Sequence, residues 1–295
     1  MKYQIKSIYI ICLFFYSLLS CAVREAPLQI QSENERTQIQ QVLINSPIVN
    51  AEMIQAALSR ALEGAKIPGH MAAVIRENTA GRSAMTGPFL SQLDIILKND
   101  DPYLRILVDK NTPLPEHYEP DDLIELRYIS YRAGIPDLML LRSRAEAALE
   151  EMAAAARAAG HNLVVSSAYR SYEYQVGSFE RWTARLGLQQ AERVSARPGR
   201  SQHQLGLAVD FGAINNTFAE TAVGRWIASN AGRFGFSLSY PRGYEEITGY
   251  AWESWHYRYV GRELFAFIDT WFGGIQHYAL SFIHEWENTF SETVN

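Results

Sequence analysis

The sequence predicts an α+β fold, a small mixed or antiparallel sheet flanked by helices. Three observations carry that expectation: segments of helical spacing alternate with short β-branched runs, no regular βαβ repeat orders them, and glycine or proline punctuates most junctions. A chain of 295 residues with 47% hydrophobic content has enough apolar side chain to bury a full core. The formal net charge of -5, without long blocks of either sign, excludes the basic footprint of a nucleic-acid binder. The sequence holds neither an internal repeat nor a glycine-rich phosphate loop.

Taken in order, Lys2 and Lys6 precede the apolar run Tyr9 to Leu19, which is shorter than the ~20 residues of a spanning helix and has the charge order of a secretory signal over residues 1–20. The closing Leu18, Leu19, Ser20 and Cys21 resemble a bacterial lipobox, although Leu19 is larger than usual there. That resemblance implies an exported chain, lipidated at Cys21 and anchored to a membrane on the periplasmic side of the envelope; an ordinary signal peptide is the alternative. Cys12 and Cys21 are the only cysteines, so cleavage leaves no intrachain disulfide and no thiolate for chemistry in the folded domain. Residues 21–92 read as a polar tether with a short helix over 51–67, followed by a main domain over 93–290 and a tail over 291–295. Within the domain, residues 101–125 read as a strand and then a Pro-rich loop, and 136–160 as a long helix opened by Pro136 and closed by Gly160. Strands are expected at 162–171 and 203–211, helices at 171–187 and 217–235, two strands around a Pro-Arg-Gly turn in 236–261, and helical spacing again over 262–289.

Two short spacings carry the chemistry. SQHQLGLAVDFG sets His203 seven residues before Asp210, and ESWH sets Glu253 three before His256. Taken singly, His203 reads equally as a turn residue, Asp210 as a strand-end cap and His256 as one more ring in AWESWHYRY. Burial shifts the balance. Asp210 lies between Val209 and Phe211, with Leu205, Leu207 and Ala208 nearby, where an unpaired carboxylate is costly. No Lys or Arg follows within seven residues, and the nearest basic groups upstream are Arg200 and His203. A metal held by His203, Asp210 and His256 satisfies all three, and two imidazoles with one carboxylate are a usual ligand set for catalytic zinc, with a fourth position left for water. Glu253 is then placed to take a proton from that water and hand it to a leaving amine. In a continuous strand, residues seven apart face opposite sides, so His203 must precede the strand or Gly206 must mark a bulge.

The stretches LVDKNTPLPEHYEPDDL, SSAYRSYEYQ, ARPGRSQHQLGLAVDFG and ITGYAWESWHYRYVG, in this order from about Leu107 to Gly261, resemble the VanY-type zinc D-alanyl-D-alanine carboxypeptidases, relatives of the VanX dipeptidases. The resemblance implies a single zinc peptidase domain with one Zn2+ on His203, Asp210 and His256, and Glu253 as catalytic base. It implies that Arg170 holds the substrate and polarises the scissile carbonyl, and that Ser201 contacts the substrate; Gln175 fits the family's YQ pair, with packing on a helix face as the equal alternative. A planar guanidinium suits that role, since it binds a carboxylate or an oxyanion through two parallel hydrogen bonds. The implied reaction removes the terminal D-alanine from peptidoglycan stem peptides. Departures occur at Gln202, where an acidic residue is more usual, at Ser254, where proline is common, and in SLSYP, where arginine often precedes the tyrosine. They bear on substrate preference. Open alternatives are an L,D-carboxypeptidase, a metallo-endopeptidase, a non-catalytic zinc-containing lipoprotein that binds cell wall, and a fold in which the metal is only a staple. Retention of Glu253 argues against a mere binding module.

Overall fold

The computed structural model describes residues 51–79, 87–115, 118–127, 130–131 and 139–293. The expected signal segment, Cys21, the tether to residue 50 and the last two residues of the tail lie outside the described residues. In chain order the elements are α1 (Ala51–Gly64), α2 (Gly69–Glu77), α3 (Pro88–Leu97), β1 (Leu123–Glu125), β2 (Ser130–Tyr131), β3 (Leu140–Arg142), α4 (Ser143–Ala158) and β4 (Val164–Ser167). There follow α5 (Tyr172–Leu186), α6 (Leu188–Val194), β5 (Ala208–Phe211), α7 (Ala222–Asn230), β6 (Phe236–Leu238), α8 (Glu245–Thr248), β7 (His256–Tyr259), α9 (Arg262–Phe272) and α10 (Gln276–Thr293). Among the described residues, no helix is long and apolar enough to cross a membrane.

The expected α+β class holds. Five strands pair in the order β2-β4-β5-β7-β6, parallel between β2 and β4 and antiparallel elsewhere, while β1 and β3 form a separate antiparallel pair. β5 is the central strand, with all four residues buried, which accounts for its apolar Ala208, Val209 and Phe211. Two sequence expectations need correction. The helix expected from Pro136 begins at Ser143, because Leu140–Arg142 takes a ladder position opposite β1 and that pairing overrides helix propensity. The strand expected soon after Asp101 is instead a 3₁₀ turn, Pro102–Leu104, capped by the Asp101 carboxylate on the Tyr103 N–H, and the strand comes only at β1. Arg258 of β7, fully buried, donates to the carbonyls of Tyr103, Leu104 and Ile106, so these groups are satisfied without a ladder.

Two apolar clusters hold these elements. One packs α4 against the sheet through Leu149, Met152, Val165, Val209, Phe211 and Phe236. The other joins α1, α2 and α3 to α9 and α10 through residues such as Leu58, Leu62, Ile75, Phe89, Phe272 and Phe282. The domain start expected at residue 93 therefore falls inside α3, where Leu93 is buried in that second cluster. The amphipathic α1 packs along α10. The tail expected from 291 likewise begins inside α10.

Candidate metal centre

The site is a row across the middle of the sheet. Asp210 of β5 stands in register with His256 of β7 on one side and Ser167 of β4 on the other. His203 reaches the same row from a 3₁₀ turn, Gln202–Leu205, that precedes β5. Gly206 closes this turn in the left-handed region at φ 67°, and a Cβ there would lie 2.9 Å from Arg142 Cγ and from Leu123 Cδ2. Glycine is thus required, and the turn resolves the parity conflict because His203 lies outside the strand. The Ser201 hydroxyl caps this turn by accepting from the His203 N–H at 3.3 Å.

Ligand atoms of His203, Asp210 and His256, all three residues buried, lie within 4.8 Å of one another, and no other such group of three occurs among the described residues. Asp210 Oδ2 lies 3.2 Å from His203 Nε2, and Oδ1 lies 3.0 Å from His256 Nδ1. His203 Nδ1 sits 2.6 Å from the Ala168 carbonyl, which can only accept, so the proton is on Nδ1 and Nε2 presents a lone pair. Burial, with Arg170 nearby, pushes His203 down to about 4, so the imidazole is neutral near pH 7. Asp210 keeps its charge through Arg170, whose guanidinium donates to Oδ2 at 2.8 Å. A lone pair facing an ionised carboxylate across 3.2 Å is a donor set that fits a cation. His203 Nε2 and Asp210 Oδ1 are buried atoms without a hydrogen-bond partner among the described residues, as expected where a metal ion is the missing partner.

Glu253, at the turn before β7, brings Oε2 to 3.5 Å from His256 Nδ1 with its side chain 14% exposed. Burial and the Asp210 charge push its carboxyl well above the usual range, while Arg170 acts the other way. Arg170 follows β4 and donates from Nη2 to Asp210 Oδ2 at 2.8 Å and from Nε to Ser167 Oγ at 2.9 Å. The cation that sequence distance denied to Asp210 is thus supplied in part by Arg170, across the strands. Gln175 is fully buried in α5 and donates to the Ala196 carbonyl at 2.7 Å and to Ser195 Oγ at 3.3 Å, bracing the loop before Ser201.

Sequence reasoning missed two residues. Tyr240 stacks at 4.8 Å from the His256 ring and walls it off. Gln202 places Oε1 at 3.3 Å from His256 Nε2. Gln202 stood out in the sequence only as a departure bearing on substrate preference, and its place beside His203 in SQH was the signal for a contact at the site.

The family model described as D-alanyl-D-alanine carboxypeptidase, VanY, matches residues 138–262. A D-alanyl-D-alanine carboxypeptidase of Enterococcus faecalis is 38% identical over 167 residues, 54% of this chain and 59% of that protein. The chain matches 60% and 59% of the length of its first two curated relatives. The bifunctional D-Ala-D-Ala dipeptidase and carboxypeptidase VanXYC of Enterococcus gallinarum is 30% identical over 165 residues, 52% of this chain and 82% of that protein. The solved LD-carboxypeptidase LdcB aligns with a TM-score of 0.54 at 34% identity, covering 60% of this chain and 85% of its own. With the His203, Asp210 and His256 cluster inside the matched segment and a relative matched over four fifths of its length, the chain belongs to the VanY family, which is related to VanX.

Proposed function

We propose that this chain is a zinc D-alanyl-D-alanine carboxypeptidase that removes the terminal D-alanine from peptidoglycan stem peptides. The observation that carries the reading is the convergence of three buried ligand atoms beside a spare, proton-hungry carboxylate. His203 through Nε2, Asp210, and His256 through Nδ1 would hold one ion. Zinc, when bound there, supplies a Lewis acid that brings the pKa of water toward ~7. Glu253 takes the proton of the attacking water on Oε2 and returns it to the departing amine. Its raised proton affinity suits both halves of that task. Arg170, 23% exposed beside the site, offers guanidinium N–H groups to the carbonyl oxygen as negative charge develops on it. The Ala168 carbonyl keeps the His203 ring in one tautomer.

The similarity to LdcB supports a second reading, L,D-carboxypeptidase action on a tetrapeptide. The same chemistry serves both, and the pocket for the penultimate residue separates them. Incubating the full chain with muramyl pentapeptide and with muramyl tetrapeptide, with and without chelator followed by added zinc, and weighing the products by mass spectrometry tests both. Zinc-dependent loss of one alanine from the pentapeptide is the expected result, loss from the tetrapeptide selects the second reading, and cleavage of neither refutes both. The lipid anchor at Cys21 and residence at the periplasmic side of the envelope belong to the same proposal, and globomycin-sensitive palmitate labelling that Cys21→Ser abolishes is their test.

A further inference from the structure

His256 is flanked by a relay of buried amides. Gln202 Oε1 lies 3.3 Å from His256 Nε2 and accepts from the Ser239 hydroxyl at 2.7 Å, while Gln202 Nε2 donates to Gln276 Oε1 at 3.3 Å. Gln276, the first residue of α10, in turn donates from its own Nε2 to the Ser237 carbonyl of β6 at 3.2 Å. Gln202, Ser239 and Gln276 are 6%, 2% and 1% exposed, so solvent does not substitute for any partner.

The last link fixes the direction of all the others. A backbone carbonyl can only accept, so the Gln276 amide nitrogen must face Ser237 and its oxygen must face Gln202. Gln202 must then present its nitrogen to Gln276 and its oxygen to His256. That oxygen has two acceptor sites, and Ser239 and His256 fill both. Nε2 of His256 therefore carries the proton, which leaves the Nδ1 lone pair facing Asp210 and Glu253. Flipping either amide sets oxygen against oxygen within a buried space, with the cost of an unpaired polar group.

We propose that Gln276 is a positioning residue for the metal centre: acting through Gln202, it fixes the His256 tautomer that leaves Nδ1 free to bind. The tautomer stands on the hydrogen bonds alone, whereas its use in holding zinc rests on the proposed function. The relay also ties the site to the cluster of α1, α2, α3, α9 and α10, since Gln276 lies between buried Ile275 and Tyr278 of that cluster.

The test uses the metal-free full chain with 15N-labelled histidine at pH 8 and reads the tautomer from long-range proton–nitrogen spectra, with His256→Gln identifying the signal. Zinc affinity is measured separately by competition with a chromophoric chelator. Wild type is expected to show the Nε2–H form. Gln276→Leu is expected to mix in the Nδ1–H form and to weaken zinc binding by ~10–100-fold, the range for lost partners of metal-ligating histidines. Adding Gln202→Glu to Gln276→Leu is expected to restore both readouts, because a carboxylate accepts through either oxygen and needs no orienting partner. Rescue distinguishes positioning from packing. An unchanged tautomer in Gln276→Leu, or no rescue by Gln202→Glu, overturns the proposal. Gln276→Met, which fills a similar volume without a donor, serves if the leucine variant does not fold. An Nε2–H tautomer in a wild type that binds no zinc would sink the metal reading and leave only the tautomer-fixing role of Gln276 standing.

Discussion

Phe89→Ala measures how firmly the N-terminal helices belong to the domain. Phe89 is 0% exposed, and its ring centroid lies 5.1 Å from Phe267, 5.3 Å from Trp271, 5.4 Å from Phe282 and 6.4 Å from Phe272. Truncating a buried phenylalanine costs about 3–5 kcal/mol. Each aromatic pair adds roughly 0.5–1.5 kcal/mol beyond area burial, which places this site near the top of that range, at about 4–5 kcal/mol. Domains are stable by about 5–15 kcal/mol, so the loss is a large part of the total. With a urea m-value of about 3 kcal/mol/M, the midpoint drops by about 1.3–1.7 M. Urea unfolding of the metal-free protein, followed by both tryptophan fluorescence and far-ultraviolet circular dichroism, checks it, and coincident curves show that the helices and the sheet unfold together. A drop under about 0.5 M, or a separate early transition, would refute the argument that α1, α2 and α3, through their cluster with α9 and α10, unfold as one unit with the sheet.

Three shorter predictions concern the site and its support. Glu253→Gln should keep zinc affinity in chelator competition while lowering turnover by ~10²–10⁴-fold, the usual contribution of a positioned acid–base group; loss of the metal instead would contradict its role as base. For His203, a folded value of about 4 against an ordinary 6.5 means that its contribution is full above pH 6.5 and is lost as pH falls toward 4. In metal-free protein the stability gap between wild type and His203→Asn should narrow over that window, and thermal unfolding across pH 4–7 reads it; Glu253, shifted upward, has the opposite slope in both proteins and cancels in the difference. Arg258→Met should remove the Nη2 donor that three carbonyls share, one of these bonds being fully buried, and cost about 1–3 kcal/mol, measured by urea unfolding; a neutral effect would mean that other donors replace it.

The candidate trio that the structure brings together was legible because its signals are local: a histidine just before a strand, an aspartate inside an apolar strand, and an E-x-x-H at the start of another. The parity conflict between His203 and Asp210 even required the turn that Gly206 closes. What stayed hidden was contact between distant segments. Arg170 and Asp210 are forty residues apart and meet only because β4 and β5 are neighbours. Arg258 read as one basic residue in an aromatic run, although its partners lie more than 150 residues earlier. The spacing in α1 announced an apolar stripe and said nothing of α10 as its partner. Leu140–Arg142 carried helix-forming residues whose strand conformation depends on β1 being opposite.

The bond from Arg170 to Asp210 has a consequence for how a metal would be acquired. A small metal domain that lacks a core is unfolded without its ion, because nothing else neutralises or organises the ligands. Here the buried carboxylate already has a counter-ion, and the strands that present it are set by two apolar clusters. Loading would then be an exchange within a finished scaffold, since an ion held by His203, Asp210 and His256 would compete with the guanidinium for the carboxylate. The scaffold would then not depend on the proposed zinc for its folding, and the arginine that would give up part of Asp210 is the same one proposed to meet the substrate.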